Sequence, residues 1–336
     1  FDTFLRDTVN LPKLRLEFLS DRVDAIYRAL KHGCDLGTTV RGKTPQGSWP
    51  QRTIIKPKEG EEFDADFLLE LDEYPDWADT PAKYNDALFE ALNDHPVYGK
   101  MTLEQKNRCV RIIYANDMHV DVVPYIVLTN GEEKIVNRDA NNGNGEFEDT
   151  DPAGFTQWMK DHDDDANGNL RKVIRIAKYL RDHSDYYEDT VSIILTTVLG
   201  ERVDADKLLI DPDYYTNVPT TLTHLMQDLN KWLQANPTLP EIEDPSGSGT
   251  TFTHRWSQAK YDVFRNDIKT LAAAINDAYE ENDFDTSVEK WQDIFGDGFK
   301  APKSSSGSDK FKTPAAGAAA GAAAEESSTS RGGRAG

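Results

Sequence analysis

The stretch from Phe63 to Leu71 constrains this chain more than any other segment. Phe63, Ala65, Phe67, Leu69 and Leu71 recur at every second position, which predicts a strand with its apolar face on a core. The same period places Asp64 and Asp66 together on the opposite face. Carboxylates carried on a packed strand are not free to swing apart and solvate independently. The run from His119 to Val127 reads as a second apolar strand. Asp121 lies inside it, between Val120 and Val122, where it can sit beside the first pair in an adjacent ladder position.

An Asp-x-Asp triplet by itself means little here, because the chain has 59 Asp and Glu against 38 Lys and Arg, a formal charge of −21. The triplet recurs at 149/151, 161/163, 163/165, 204/206, 211/213 and 283/285, where it reads as solvated loops and helix caps. The charge balance also argues against DNA or RNA as a partner, since long nucleic acids are neutralised by clustered Lys and Arg. Phosphate chemistry is therefore expected on small molecules, with metal ions supplying positive charge. No apolar run approaches the ~18 residues of a membrane span, and no charged-then-apolar leader pattern is visible. Cys34 and Cys109 have neither metal-type nor disulfide-framework spacing, so a reducing cytoplasm is the expected location.

Along the chain, Leu16, Leu19, Val23, Ile26, Tyr27 and Leu30 predict an amphipathic helix ending near Gly33. A helix through Tyr84, Leu88 and Leu92 follows the first strand, then strands over 109–114 and 119–127. Beyond the Asn/Gly-rich loop at 141–145 the pattern is read as helical throughout, with candidates at 170–182, 190–199, 219–234 and 256–281. Strands early and helices late imply an α+β fold. The expected division is a catalytic lobe over 1–155, a helical lobe over 156–300, and a Ser/Gly/Ala-rich disordered tail over 301–336.

Two phosphate-binding patterns overlap near residue 40. Gly37-Thr38-Thr39-Val40-Arg41-Gly42-Lys43-Thr44 matches GxxxxGK[ST] literally. A helix rather than a buried strand precedes it, while Pro45 and Gly47 stand where a helix should follow. That context favours a Gly/Thr-rich surface loop. Gly47-Ser48 makes the second pattern, with Gly47 letting backbone approach a triphosphate and Ser48 donating to it. Asp64, Asp66 and Asp121 then supply what nucleotidyl transfer requires: carboxylates for two Mg²⁺ ions (or Mn²⁺) about 3.5–4 Å apart, flanking the attacking and leaving oxygens.

Gly47-Ser48, Thr53, Asp64-Ala65-Asp66 and His119-Val120-Asp121-Val122-Val123-Pro124 together resemble the signature of polymerase-β-type nucleotidyltransferases. Val9-Asn10-Leu11-Pro12, Val173-Ile174-Arg175-Ile176-Ala177-Lys178-Tyr179 and Trp291-Gln292-Asp293-Ile294-Phe295-Gly296 are similar to the branch of the bacterial CD-NTases. The resemblance implies a bilobal fold and condensation of NTPs, ATP among them, into a cyclic di- or trinucleotide messenger of antiviral (CBASS) defence. It also implies a triphosphate-binding role for Lys178, and a small hydroxyl near the phosphates at Thr190 or Ser192.

The segment 56–62 is expected to be a surface hairpin or loop. Asp163-Asp164-Asp165-Ala166-Asn167-Gly168 begins like a calcium loop, but Ile174 stands where a bidentate Glu is required, so it reads as an acidic turn. The end of the chain, Arg331-Gly332-Gly333-Arg334-Ala335-Gly336, resembles an exposed ubiquitin-like terminus. It implies a ubiquitin-like activating and conjugating partner acting at Gly336, with a plain linker as the other reading. A regulatory protein is a further expected partner. Competing readings of function are a linear oligoadenylate or nucleotide-adding transferase, a catalytically silent scaffold, and a P-loop hydrolase using Lys43.

Overall fold

The computed structural model describes residues 1–115 and 118–301. The expected disordered tail and its terminal Gly336 lie outside the described residues. A short turn α1 (Asp2–Phe4) leads through Leu5–Val9 into the long helix α2 (Lys13–His32). Strands β1 (Val40–Gln46) and β2 (Phe63–Leu71) follow, then helix α3 (Ala82–Asn93). The sheet continues with β3 (Thr102–Gln105), β4 (Val110–Tyr114), β5 (Met118–Val127), β6 (Glu133–Asn137) and β7 (Glu146–Asp149). Helices α4 (Pro152–Asp165), α5 (Leu170–His183), α6 (Ser192–Gly200), α7 (Lys207–Ile210), α8 (Val218–Ala235), α9 (Gln258–Glu280) and α10 (Phe284–Phe295) complete the fold. Among the described residues no helix is long and apolar enough to cross a membrane.

The strands form one mixed sheet in the order β1-β2-β5-β4-β3, with β6 pairing the far half of β5 and β7 pairing β6. β2 and β5 run parallel, whereas the other pairs are antiparallel. The period-two reading of β2 holds: Phe63, Ala65, Phe67, Leu69 and Leu71 are all buried, while Asp64 is exposed and Asp66 intermediate. Phe67 is fully buried, so truncating it to Ala should destabilise the fold by about 3–5 kcal/mol. α2 lays Leu19, Val23, Ile26 and Leu30 on this core, and α3 adds Tyr84, Leu88 and Leu92.

A second core lies among the helices, built from α5, α6, α8 and α9 residues such as Ile176, Leu195, Leu225 and Ile268. The start of the chain joins it. Phe4, Leu5 and Val9 are buried there, with the Phe1 ring 5.0 Å from Trp291 and the Phe4 ring 5.1 Å from Tyr179. Both cores lie within one compact unit, Phe1–Lys300. The fold is thus α+β and bilobal in its cores, a mixed sheet with helices followed by C-terminal helices.

Several elements differ from the sequence expectation. The Gly/Thr-rich loop is largely strand β1, paired antiparallel to β2. Its outward residues are polar because it is a sheet edge, so no apolar alternation announces it. The loop at 141–145 is followed by β7 before the helices begin, and α4 starts from an Asp151 cap. The calcium-like segment is the end of that helix and a turn. Its Asp163 is buried and accepts from the Arg171 side chain at 2.6 Å, which uses the carboxylate structurally. Residues 56–62 form the expected loop. Cys109 is buried, and Cys34 is half-buried.

Candidate active site

The sheet register assembles the site. Asp66 on β2 lies directly opposite Asp121 on β5, and Asp64 lies opposite His119. Gln46, the last residue of β1, is opposite Asp66 on the other side, and Arg111 of β4 is opposite Asp121. One row across the sheet therefore reads Gln46, Asp66, Asp121, Arg111, with Glu104 of β3 beyond it. Asp64 projects from the same face two residues earlier on β2.

Proximity of like charges is visible in the acidity of Asp66. Its carboxyl is pushed up to about 8, first by burial, then by Asp64 and Asp121, against the opposing pull of Arg111 and Lys178. Three carboxylates crowded on one sheet face resist being ionised together. Asp121 is only 7% exposed, and both of its oxygens accept from Arg111, at 2.7 Å from Nε and 2.8 Å from Nη2.

Gly47 follows β1 with φ +67°, in the left-handed region that glycine adopts without strain. It also packs so closely that a Cβ there would lie 2.7 Å from Asp66 Oδ2. The backbone of the Gly-Ser turn thus abuts the carboxylate row. Ser48 accepts the Thr53 amide through its carbonyl at 2.9 Å, and Arg52 takes a left-handed φ of 56°, which tightens this turn.

Lys178, on α5, reaches across from the helical core to the same turn. Its ammonium donates to the Thr53 carbonyl and to Thr53 Oγ1, each at 3.2 Å, and it is 4% exposed. Its pKa is lowered to about 8, mainly by burial and then by Arg181, while Asp64, Asp182 and Asp66 pull it upward. Lys178 therefore answers electrostatically to two of the site's carboxylates.

Thr190 is buried, and the N-cap of α6 is Val191, so Thr190 does not cap that helix. Arg181 donates to the Thr190 carbonyl at 3.2 Å and to Ser192 Oγ at 2.9 Å. Thr190 and Ser192 are thereby tied to the helix that carries Lys178. His119 lines β5 with its ring 3.6 Å from Glu62. Lys43, the lysine of the literal P-loop pattern, is engaged elsewhere: it pairs with Asp24 and lies over the Tyr27 ring, within a strand.

Arg111 and Arg181 were not among the residues expected from sequence. A lone Arg between Val110 and Ile112 in an apolar strand was the available signal for the first.

Among the described residues no group of three or more His, Cys, Asp or Glu side chains is placed to hold a metal ion. Magnesium does not require such a group, since it keeps waters and takes one or two protein carboxylates beside substrate phosphates. The carboxylate row beside the Gly47-Ser48 turn offers hard oxygen donors of the kind that ion takes.

The mixed sheet followed by C-terminal helices matches the fold of solved nucleotidyltransferases. Residues 1–163 match the family model of the Second Messenger Oligonucleotide or Dinucleotide Synthetase domain, SMODS. The match covers just under half of the chain and takes in strands β1 to β7. The chain is 30% identical over 159 residues to a c-di-GMP synthase of Roseivirga ehrenbergii, covering 47% of this chain and 41% of that protein. It is 22% identical over 232 residues to a cyclic AMP-AMP-AMP synthase of an Acinetobacter species, covering 68% and 62%. The chain thus spans about half the length of the curated relatives it matches. Its fold is similar to the structure of the Bradyrhizobium diazoefficiens CD-NTase CdnG in complex with GTP, with a TM-score of 0.67 at 18% identity over 88% of this chain and 94% of that one.

Proposed function

We propose that this protein is a Mg²⁺-dependent nucleotidyltransferase that condenses NTPs, with ATP as one substrate, into a cyclic di- or trinucleotide. The observation that carries this reading is the cross-strand row, in which Asp66 and Asp121 are parallel neighbours and Asp64 shares their face. Gly47 and Ser48 would hold the triphosphate against this row, and Lys178 would add a point charge from the helical side. Asp64, Asp66 and Asp121 would hold the metal ions, Mg²⁺ or Mn²⁺. When bound, those ions offset the charge on the attacking and leaving oxygens of an in-line displacement.

The site's own groups account for the rest. The Gly-Ser turn and Lys178 fix the donor so that its α-phosphorus faces the carboxylate row. Asp121, on the inner strand, orients the acceptor hydroxyl for attack, and pyrophosphate departs toward the cationic side. A second attack by the linear product closes the ring. Both nucleotides would sit between the sheet lobe, residues 1–155, and the helical lobe, residues 156–300, where exclusion of water would suppress hydrolysis.

Incubation with all four NTPs and Mg²⁺, followed by mass spectrometry of phosphatase-resistant products, tests the proposal. A cyclic product that disappears in Asp64→Ala and Asp66→Ala but persists in Lys43→Ala supports it. Only phosphatase-sensitive chains would indicate a linear transferase. Orthophosphate release that depends on Lys43 would overturn the reading.

A further inference from the structure

The row of the sheet that carries Asp66 and Asp121 does not end with the carboxylates. The next residue across is Arg111, directly opposite Asp121 on β4. Its Nε and Nη2 donate to separate oxygens of Asp121 at 2.7 and 2.8 Å, a two-pronged contact with the carboxylate in the plane of the guanidinium. The next carboxylate along the row, Glu104, is paired with Lys106 at 2.7 Å.

We propose that Arg111 is a positioning residue of this active site. It is a built-in counter-ion whose fork fixes the plane of the Asp121 carboxylate and leaves its remaining lone-pair site for a divalent cation. This rests on the reading of Asp121 as a metal ligand.

An ionised carboxylate has about four lone-pair sites, and a guanidinium fork takes one on each oxygen. The Cys109 thiol also hydrogen-bonds to Asp121, so about one site stays open. Arg111 also resolves a problem of burial. Asp121 is nearly inaccessible and stands beside a second carboxylate, so a cation beside it offsets the cost of burying its charge. A planar, permanently charged fork supplies that cation and aims the carboxylate. A lysine supplies the charge without fixing the plane.

The test combines melting and turnover in the full chain, using Mn²⁺ as the metal probe. Without metal, Arg111→Met should melt below wild type, because Asp121 is left buried with no cation. Arg111→Met/Asp121→Asn should recover much of that loss. Arg111→Lys should melt close to wild type. With saturating Mn²⁺ both single variants should still lose turnover, about 10–100-fold for Arg111→Met, in kcat rather than in the KM for NTP. A merely structural role would instead let Mn²⁺ restore kcat once the fold is saved.

Wild-type kcat in both Arg111 variants, alongside a turnover loss in Asp121→Ala, would overturn the positioning role while leaving Asp121 as a ligand. Wild-type turnover and Mn²⁺ stabilisation in Asp121→Ala would overturn both.

Discussion

Substituting Gly47 by Ala separates backbone strain from damage to the site. Gly47 sits at φ +67°, and an added Cβ would lie 2.7 Å from Asp66 Oδ2, against ordinary contact beginning at 3.4 Å. The left-handed conformation costs an Ala about 1–2 kcal/mol. In a unit of this size that lowers Tm by about 2–3 °C. The clash is with the end of a side chain, so the fold relieves it by moving the Asp66 carboxyl about 0.7 Å (3.4 − 2.7). That displacement is small for stability and large for chemistry, where a misplacement near 1 Å lowers rate on the order of 10²-fold. Gly131→Ala is the matched control, since Gly131 has φ +87° with nothing within 4 Å of the added Cβ. Thermal melting and steady-state cyclic-nucleotide synthesis would be measured on both. The expected result is a similar fall in Tm and a turnover loss only in Gly47→Ala. Equal turnover in the two variants would refute the claim that Gly47 is needed to keep Asp66 in place.

Burial lowers the Lys178 pKa to about 8, against roughly 10.4 for an unfolded lysine. The unfolded chain then binds more protons between these values, so this group makes metal-free stability rise with pH across that window. Triphosphate binding needs the ammonium, so KM for NTP should climb above pH 8 in wild type, and stay flat in Lys178→Arg; identical profiles would reject the phosphate role. Asp66 shows the opposite linkage. Its folded pKa, raised to about 8, sits above the unfolded value near 3.9, so its contribution is full at low pH and is lost as pH rises to 8. Metal-free Asp66→Asn should therefore melt above wild type at pH 8 and gain least from Mn²⁺, whereas a variant melting at or below wild type there would contradict crowded carboxylates. Lys43→Ala should lose less than about 1 kcal/mol with its partly exposed Asp24 pair and keep full turnover, as measured by denaturant melts and product formation.

β2 was legible because a half-buried strand writes its two faces into alternating residues, and the aspartates appear as the exceptions to an apolar rhythm. The long helices were legible for the same reason at a different period, with α5 presenting a run of apolar positions broken by Lys178. β1 was not, because an edge strand with mostly partly exposed positions has little pattern to show. Nor was α4, whose last residues, His162 to Asp165, are polar enough to read as a turn.

By itself the sequence determined which residues are proposed for the chemistry: the strand-borne Asp64 and Asp66, Asp121 inside an apolar run, the Gly47-Ser48 turn and a lysine on a helix. These are local properties, set by periodicity and residue type. Tertiary structure decided the pairings, because strand register is fixed by the packing of distant segments. It placed Asp66 opposite Asp121, turned the apparent P-loop into an edge strand with Lys43 held by Asp24, and brought Lys178 onto Thr53. It also set Arg111 against Asp121, a contact that arises only when β4 and β5 align in one particular register.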